Sequence, residues 1–283
     1  MTVYKISHIL VPVDLSESSL NALDTAVGLA KKHRATLHVL YVDESSFQTI
    51  EDMGTPYYSN SVNAGDVVTA LVGAIEDKHD IKPIVTMQEG NVSECIIKSS
   101  FLVHADLVVM GAHGASGYRD GFVGNNTYNV IKYAACPVLS VPQRRKVSTF
   151  KNILFPVRPV AGALSCYQVV SHFTSPSTVV EVMGLSNRMI LDTATSVLDT
   201  IISEINIQLQ SDAVKVKPFW SEGNSIAEEI VRYSNTASDL VVVTSGLDVT
   251  SKPKYVGPHA QKIIHCSRVP VLSIKKNTVP SFA

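Results

Sequence analysis

The residues best suited to chemistry lie together in one stretch. An apolar run, Val108-Val109-Met110, leads directly into Gly111-Ala112-His113-Gly114; Gly117, Gly121 and Gly124 follow, and Asn125-Asn126 closes the stretch. Glycine lets a backbone approach a ligand closely and take positive φ without a Cβ clash. A helix starting at Asn125 or Asn126 and reading on through Val130, Ile131 and Tyr133 adds the unpaired N–H groups and partial positive charge of a helix N-terminus. Strand end, glycine loop and helix start together make an anion cradle, most often one for phosphate. Neither the P-loop pattern nor a strand-linked G-x-G-x-x-G occurs, and Gly114-Ala115-Ser116-Gly117 has its last glycine one residue early for a nucleophile elbow.

The elements that must hold this loop come in two copies. Ile9-Leu10-Val11-Pro12-Val13-Asp14 returns as Ile153-Leu154-Phe155-Pro156-Val157-Arg158, and Cys136-Pro137-Val138-Leu139-Ser140-Val141 returns as Val269-Pro270-Val271-Leu272-Ser273-Ile274. Between them Asp106-Leu107-Val108-Val109-Met110 matches Asp239-Leu240-Val241-Val242-Val243, and Glu89-Gly90-Asn91 matches Glu222-Gly223-Asn224. The second copy is shorter between its first and third strands, where the first carries the polar stretch Glu44 to Asn63. A charged linker, Gln143 to Ser148, separates domains expected over 1–145 and 149–283.

Short β-branched runs alternate with amphipathic segments, the pattern of βαβ units and a parallel sheet. Strands are expected near 7–13, 36–43, 83–88, 106–111 and 137–141, and again near 152–157, 178–184, 214–220, 239–244 and 270–274. Ser16 is placed to cap a first helix with Leu20, Leu23, Val27 and Ala30 on one stripe; further helices are expected over 64–79, 92–103 and 125–134. The fold class is therefore α/β: two tandem, doubly wound, open parallel five-stranded sheets of Rossmann-like type. Ligands on such sheets sit at strand carboxyl ends where strand order reverses. Asp14, Val42 and Gly111 stand at such ends.

Composition narrows the function. The chain has 283 residues and a formal net charge of -1, which leaves no basic footprint for nucleic acid. A hydrophobic share of 45% argues for packed cores and against disorder. No run approaches the roughly 18 apolar residues of a membrane span, and Met1 to Lys5 has no apolar leader, so a cytoplasmic protein is expected. Cys95, Cys136, Cys166 and Cys266 stand far apart without a C-x-x-C pair, which suggests buried thiols in a reducing compartment rather than a metal site or a catalytic thiol.

These residues resemble the universal stress protein family in its tandem two-domain form, with an adenine nucleotide alpha hydrolase-like fold. The family signature of Gly, two residues, Gly, nine residues, Gly and then Ser or Thr is matched by Gly111, Gly114 and Gly124, with Asn125 in the hydroxyl position. Pro12-Val13-Asp14, Gly90-Asn91 and Cys136-Pro137-Val138 fit as well. The resemblance implies that Gly111, Gly114, Gly124 and Asn125 hold the phosphates of ATP, with Asn126 beside them at the helix start. It implies that Asp14 lies on the adenosine side and that the backbone at Val42 meets adenine. Mg²⁺ is expected with the triphosphate, because one helix terminus offsets only part of its charge. Asn125 lacks the family hydroxyl but is a good N-cap. Arg158, Thr244, Leu247 and Pro258 replace Asp14, Gly111, Gly114 and Asn125 in the second copy, which retains only Gly257. That copy is expected to have lost nucleotide binding. The resemblance also implies fifth strands pairing across a dimer; here 137–141 and 270–274 would pair within one chain as an internal pseudo-dimer, with further self-association open.

Plainer readings stay open. The glycines could be turn residues, Asp14 a helix cap, and His113 and Arg119 solvated side chains. Asp43, Glu44, Glu51 and Asp52 read better as a solvated acidic loop than as metal ligands, and Tyr57 and Tyr58 as loop packing rather than a lid. No base or nucleophile is positioned, so no catalytic residue is assigned and any ATP hydrolysis is expected to be slow. Two other functions compete with a nucleotide-binding stress-response protein: a scaffold or interaction module that binds no nucleotide, and an adenylyl-transfer enzyme, for which no acceptor site is evident.

Overall fold

The computed structural model describes residues 4–44, 64–112, 124–143, 149–157, 166–185, 200, 203, 215–221, 225–244, 247 and 256–275. In the first half β1 (His8–Pro12), α1 (Glu17–His33), β2 (Thr36–Asp43), α2 (Ala64–His79), β3 (Ile84–Glu89), α3 (Val92–Leu102), β4 (Leu107–Gly111), α4 (Asn125–Tyr133) and β5 (Val138–Val141) alternate as the periodicity requires. In the second, β6 (Asn152–Val157) is followed by the short α5 (Tyr167–Val170), a 3-10 turn at Ser171–Phe173, β7 (Val179–Leu185) and β8 (Lys215–Ser221). Then come α6 (Ile226–Ala237), β9 (Leu240–Thr244), α7 (Pro258–Cys266) and β10 (Val271–Ile274).

Each half is a doubly wound parallel sheet, and the two are joined. The ten strands run β3-β2-β1-β4-β5-β10-β9-β6-β7-β8. Only β5 and β10 are antiparallel, with Ser140 opposite Val271, Leu139 opposite Leu272 and Val138 opposite Ser273. This is the internal pseudo-dimer that the family resemblance implied. It removes two apolar edges that would otherwise invite pairing with other chains. Strand order reverses between β1 and β4, so their carboxyl ends flank a crevice.

Alternation along the strands sends side chains to two cores, one on each face. One gathers Ile9, Val11, Leu37 and Val39 with Phe155, Val180 and Tyr167 of the second half. The other gathers Leu10, Val108 and Met110 with α4, α6 and α7 through Val130, Ile230 and Ile263. Both cores span both halves, and each fully buried aliphatic side chain contributes about 1.5–3 kcal/mol. At α1, Ser16 accepts the Ser19 N–H at 3.3 Å, and Arg34, at φ 53°, ends the helix in the left-handed region. The thiols follow expectation in part: Cys136 and Cys166 are buried, Cys95 and Cys266 half-buried. Burial pushes the Cys136 thiol up to about 12, so it is inert as a nucleophile.

Polar contacts stitch the halves as well. Lys275 Nζ donates to the carbonyls of Lys132 and Ala134 at the end of α4. On the other face Lys32 Nζ and His33 Nε2 both reach the His172 carbonyl, at 2.8 and 2.9 Å, and His172 Nε2 lies 2.8 Å from the Tyr4 carbonyl. A carbonyl only accepts, so both ring nitrogens carry hydrogen. Burial lowers the pKa of His33, helped by the charge of Lys32. Burial also lowers that of His172, with Lys32 adding to the fall while its bond to Tyr4 and the Asp106 carboxylate oppose it. His38 is lowered by burial and by His8.

A group whose folded pKa is depressed binds fewer protons folded than unfolded, so stability rises with pH. Here it is fully present above the unfolded histidine value of about 6.5 and is lost as pH falls below it. Thermal midpoints measured from pH 8 down to 5.5 should fall on the acid side. His33→Gln with His172→Gln, which retains both N–H donors, should flatten that slope; an unchanged slope in the double variant would remove the seam from the explanation.

Candidate functional site

The candidate site is built where β4 ends. Val108, Val109 and Met110 are buried, and at Gly111 the strand meets the first turn of α1. A Cβ on Gly111 would stand 2.6 Å from Ser18 Oγ and 3.1 Å from the Ser18 backbone carbon. Glycine is therefore required here by packing. Ser18 Oγ donates to the Val141 carbonyl at 3.1 Å, and the Ala112 N–H donates to the same oxygen at 2.9 Å. One junction thus ties α1, β4 and β5 together.

Gly124 stands on the other side of the loop and differs in kind. It is the N-cap of α4 with φ -52° and ψ 134°, open to any residue. Its missing Cβ would come no nearer than 3.7 Å to the Ala112 carbonyl and 3.9 Å to Thr127 Oγ1, ordinary contacts. Among the described residues nothing in the fold requires glycine there. Among the described residues no side chain caps α4. The expectation that Asn125 would serve as N-cap is corrected: Asn125 and Asn126 are the exposed first residues of the helix, and Gly124 holds the cap position. The cap falls one residue earlier because the first helical bond runs from the Tyr128 N–H to the Gly124 carbonyl. Thr127, which the sequence pattern did not single out, is buried with Oγ1 3.2 Å from the carbonyl oxygens of both Gly111 and Ala112.

Asp14 lies two residues beyond β1 and is exposed. Its Oδ1 accepts the Ser16 N–H at 3.0 Å and the Ser16 hydroxyl, and this turn carries Leu15 at φ 62°. Asp14 thus braces the residue that caps α1. Val42 is half-buried near the end of β2, against the core on the α4 face. Beyond it the Gly90 N–H donates to the Asp43 carbonyl at 3.1 Å, with Gly90 at φ 138°, and Asn91 caps α3 by accepting the Glu94 N–H. Gly90-Asn91 therefore builds the exit from β3. The fold brings Asp14, Val42 and Gly111 to carboxyl ends of neighbouring strands β1, β2 and β4, with Gly124, Asn125 and Asn126 opening the helix above β4. Gly114, His113, Arg119, Glu51, Asp52, Tyr57, Tyr58 and Arg158 lie outside the described residues. Among the described residues no cluster of three or more His, Cys, Asp or Glu side chains could hold a metal.

The second half differs at the matching positions. Leu247, in the place of Gly114, is 1% exposed and packs into the core with Val243, Val256 and Ala260. Gly257 again precedes the helix, but Pro258 opens it and supplies no N–H. Beside this helix a cavity of about 20 Å³, room for one water, lies among Ile131, Thr244, Gly257, Ser273 and Lys275.

A sequence model of the Universal stress protein family matches residues 5–142. Universal stress protein MJ0531 of Methanocaldococcus jannaschii is 30% identical over 141 residues, which cover 49% of this chain and 83% of that protein. Universal stress protein Sll1654 of Synechocystis is 30% identical over 137 residues, 47% of this chain and 84% of that one. Among solved structures, a universal stress protein from Archaeoglobus fulgidus aligns with a TM-score of 0.70 over 95% of this chain and 98% of its own, at 21% identity. A putative universal stress protein from Pseudomonas aeruginosa aligns at 0.69 over 96% and 94%, at 13% identity. At those identities the likeness concerns the fold alone, and it extends over both halves.

The two glycines should separate on mutation. Gly111→Ala forces overlap with the start of α1 and should cost about 1–3 kcal/mol, read as a lower denaturation midpoint in urea. Gly124→Ala should shift that midpoint by no more than a few tenths of a kcal/mol. Equal losses would mean that the Gly111–Ser18 contact is not the constraint described.

Proposed function

The chain belongs to the universal stress protein family, and from that premise we propose that it is a cytoplasmic stress-response protein that binds an adenine nucleotide, ATP with Mg²⁺, through its first half only. The two domains of this reading are 1–145 and 149–283. The observation that carries it is Gly124, a glycine for which the described residues give neither a backbone nor a packing reason, at the start of α4. Among the described residues nothing excludes a side chain there, and a ligand that needs the space accounts for the glycine. Phosphate fits, because the first-turn N–H groups and the helix dipole favour an anion.

In this reading Gly111, Gly114, Gly124, Asn125 and Asn126 surround the phosphates. Backbone N–H or the Asn125 amide stands in for the missing hydroxyl. Asp14 lies toward the ribose while bracing Ser16, and the backbone at Val42 meets the base. Mg²⁺ arrives with the triphosphate, held by phosphate oxygens and water. Hydrolysis is slow for want of a positioned base. Nucleotide binding shifts a conformational or association equilibrium to the extent that it prefers one state. The second half binds none, with Leu247 in the place of loop backbone and Pro258 lacking a donor, and serves as a structural partner.

Gly124→Val tests this directly. A β-branched side chain entering the phosphate space should weaken ATP-Mg²⁺ by about a hundredfold or more in calorimetric titration. The thermal midpoint should drop by only a few degrees, the cost of a poorer cap. Native-like affinity in that variant would reject the cradle. No heat from the unmodified chain at millimolar ATP-Mg²⁺ would favour the scaffold reading.

A further inference from the structure

The chain leaves β4 at Ala112 and enters α4 at Gly124, and one buried hydroxyl holds these two points together. Thr127 is 3% exposed, and its Oγ1 lies 3.2 Å from each of the Gly111 and Ala112 carbonyl oxygens. It is also 3.9 Å from the point where a Cβ on Gly124 would stand. The hydroxyl has a single proton, so the two carbonyls share it. The bond links the third residue of the helix to the last turn of the strand and bridges the base of the glycine loop.

The second half provides an internal comparison. With Gly257 in the place of Gly124 and Pro258 in that of Asn125, the place of Thr127 falls to Ala260. Ala260 is 6% exposed and belongs to the apolar core on that face. Its methyl side chain cannot donate a hydrogen bond, so this position offers no counterpart of the Thr127 hydroxyl. The copy that replaced its loop glycines by Thr244 and Leu247 has replaced this hydroxyl as well. A hydroxyl serving only to start a helix would be as useful in the second half, where α7 has the same length as α4.

We infer that Thr127 is a positioning residue for the nucleotide. By binding the carbonyls of Gly111 and Ala112 it sets the angle of the first turn of α4 on β4, so that the N–H groups of Asn125 and Asn126 converge on one phosphate. It touches no ligand itself. This inference rests on the nucleotide reading above and deepens it.

Thr127→Val removes the hydroxyl at nearly constant volume, and Thr127→Ser restores it. Two readouts are needed: calorimetric titration with ATP-Mg²⁺, and amide hydrogen exchange at Tyr128, whose N–H bonds to the Gly124 carbonyl at 2.9 Å. Thr127→Val should weaken ATP-Mg²⁺ about tenfold or more and speed exchange at Tyr128, and Thr127→Ser should recover most of both. Unchanged affinity in Thr127→Val, or no recovery with Ser, would overturn the positioning role while leaving the nucleotide reading in place. If the unmodified chain binds no ATP-Mg²⁺, the nucleotide reading and the positioning role fall together, and faster exchange in Thr127→Val would then mark the clasp as a device of the fold alone.

Discussion

The close approach of Gly111 to Ser18 is the constraint on which the rest of the front half turns. It lets the first turn of α1 sit directly against the last residue of β4, where a Cβ would meet Ser18 Oγ at 2.6 Å. From there the contacts spread outward. Ser18 and Ala112 converge on the Val141 carbonyl at the end of β5, and Thr127 brings α4 onto the same strand end. The crevice of a doubly wound sheet is a consequence of strand order; at this one a strand and two helices are fastened at a single place.

The second half keeps that architecture with other residues at the glycine positions. Its retention follows from the sheet. β10 covers the open edge of β5, and both cores draw residues from both halves. Lys275 meets the end of α4, the helix whose other end forms the candidate site. A half that has exchanged loop glycines for Leu247 and an N–H for Pro258 is therefore still half of each core, and removing it would expose apolar surface on two faces and one edge.

Much of this was legible from residue pattern, for identifiable reasons. Strands buried on both faces read as continuous apolar runs, so the expectation of 36–43 coincides with Thr36–Asp43, and that near 106–111 differs from Leu107–Gly111 by a residue. The β5–β10 pairing was implied by the family resemblance applied to the two copies. Pattern fails where the cause is a contact distant in sequence. Gly111 and Gly124 look alike in the chain, yet one is demanded by Ser18 and the other by nothing among the described residues. Asn125 has the chemistry of a cap, but the first helical bond already starts at Gly124. Thr127 reads as a polar residue at a helix start, and only its burial against two carbonyls sets it apart. The signal that could have found it was its replacement by Ala260 in the second copy. The Lys32, His33 and His172 contacts have no local signature, since they join residues some 140 positions apart.

Native mass spectrometry of the intact chain in ATP-Mg²⁺ counts nucleotides directly and so measures the asymmetry between halves. A single bound nucleotide per chain, absent when Gly124 is replaced by Val, is what the proposed binding through the first half alone predicts. Two bound nucleotides would contradict the loss of the second site, and a bare chain at saturating nucleotide would contradict the cradle at Gly124.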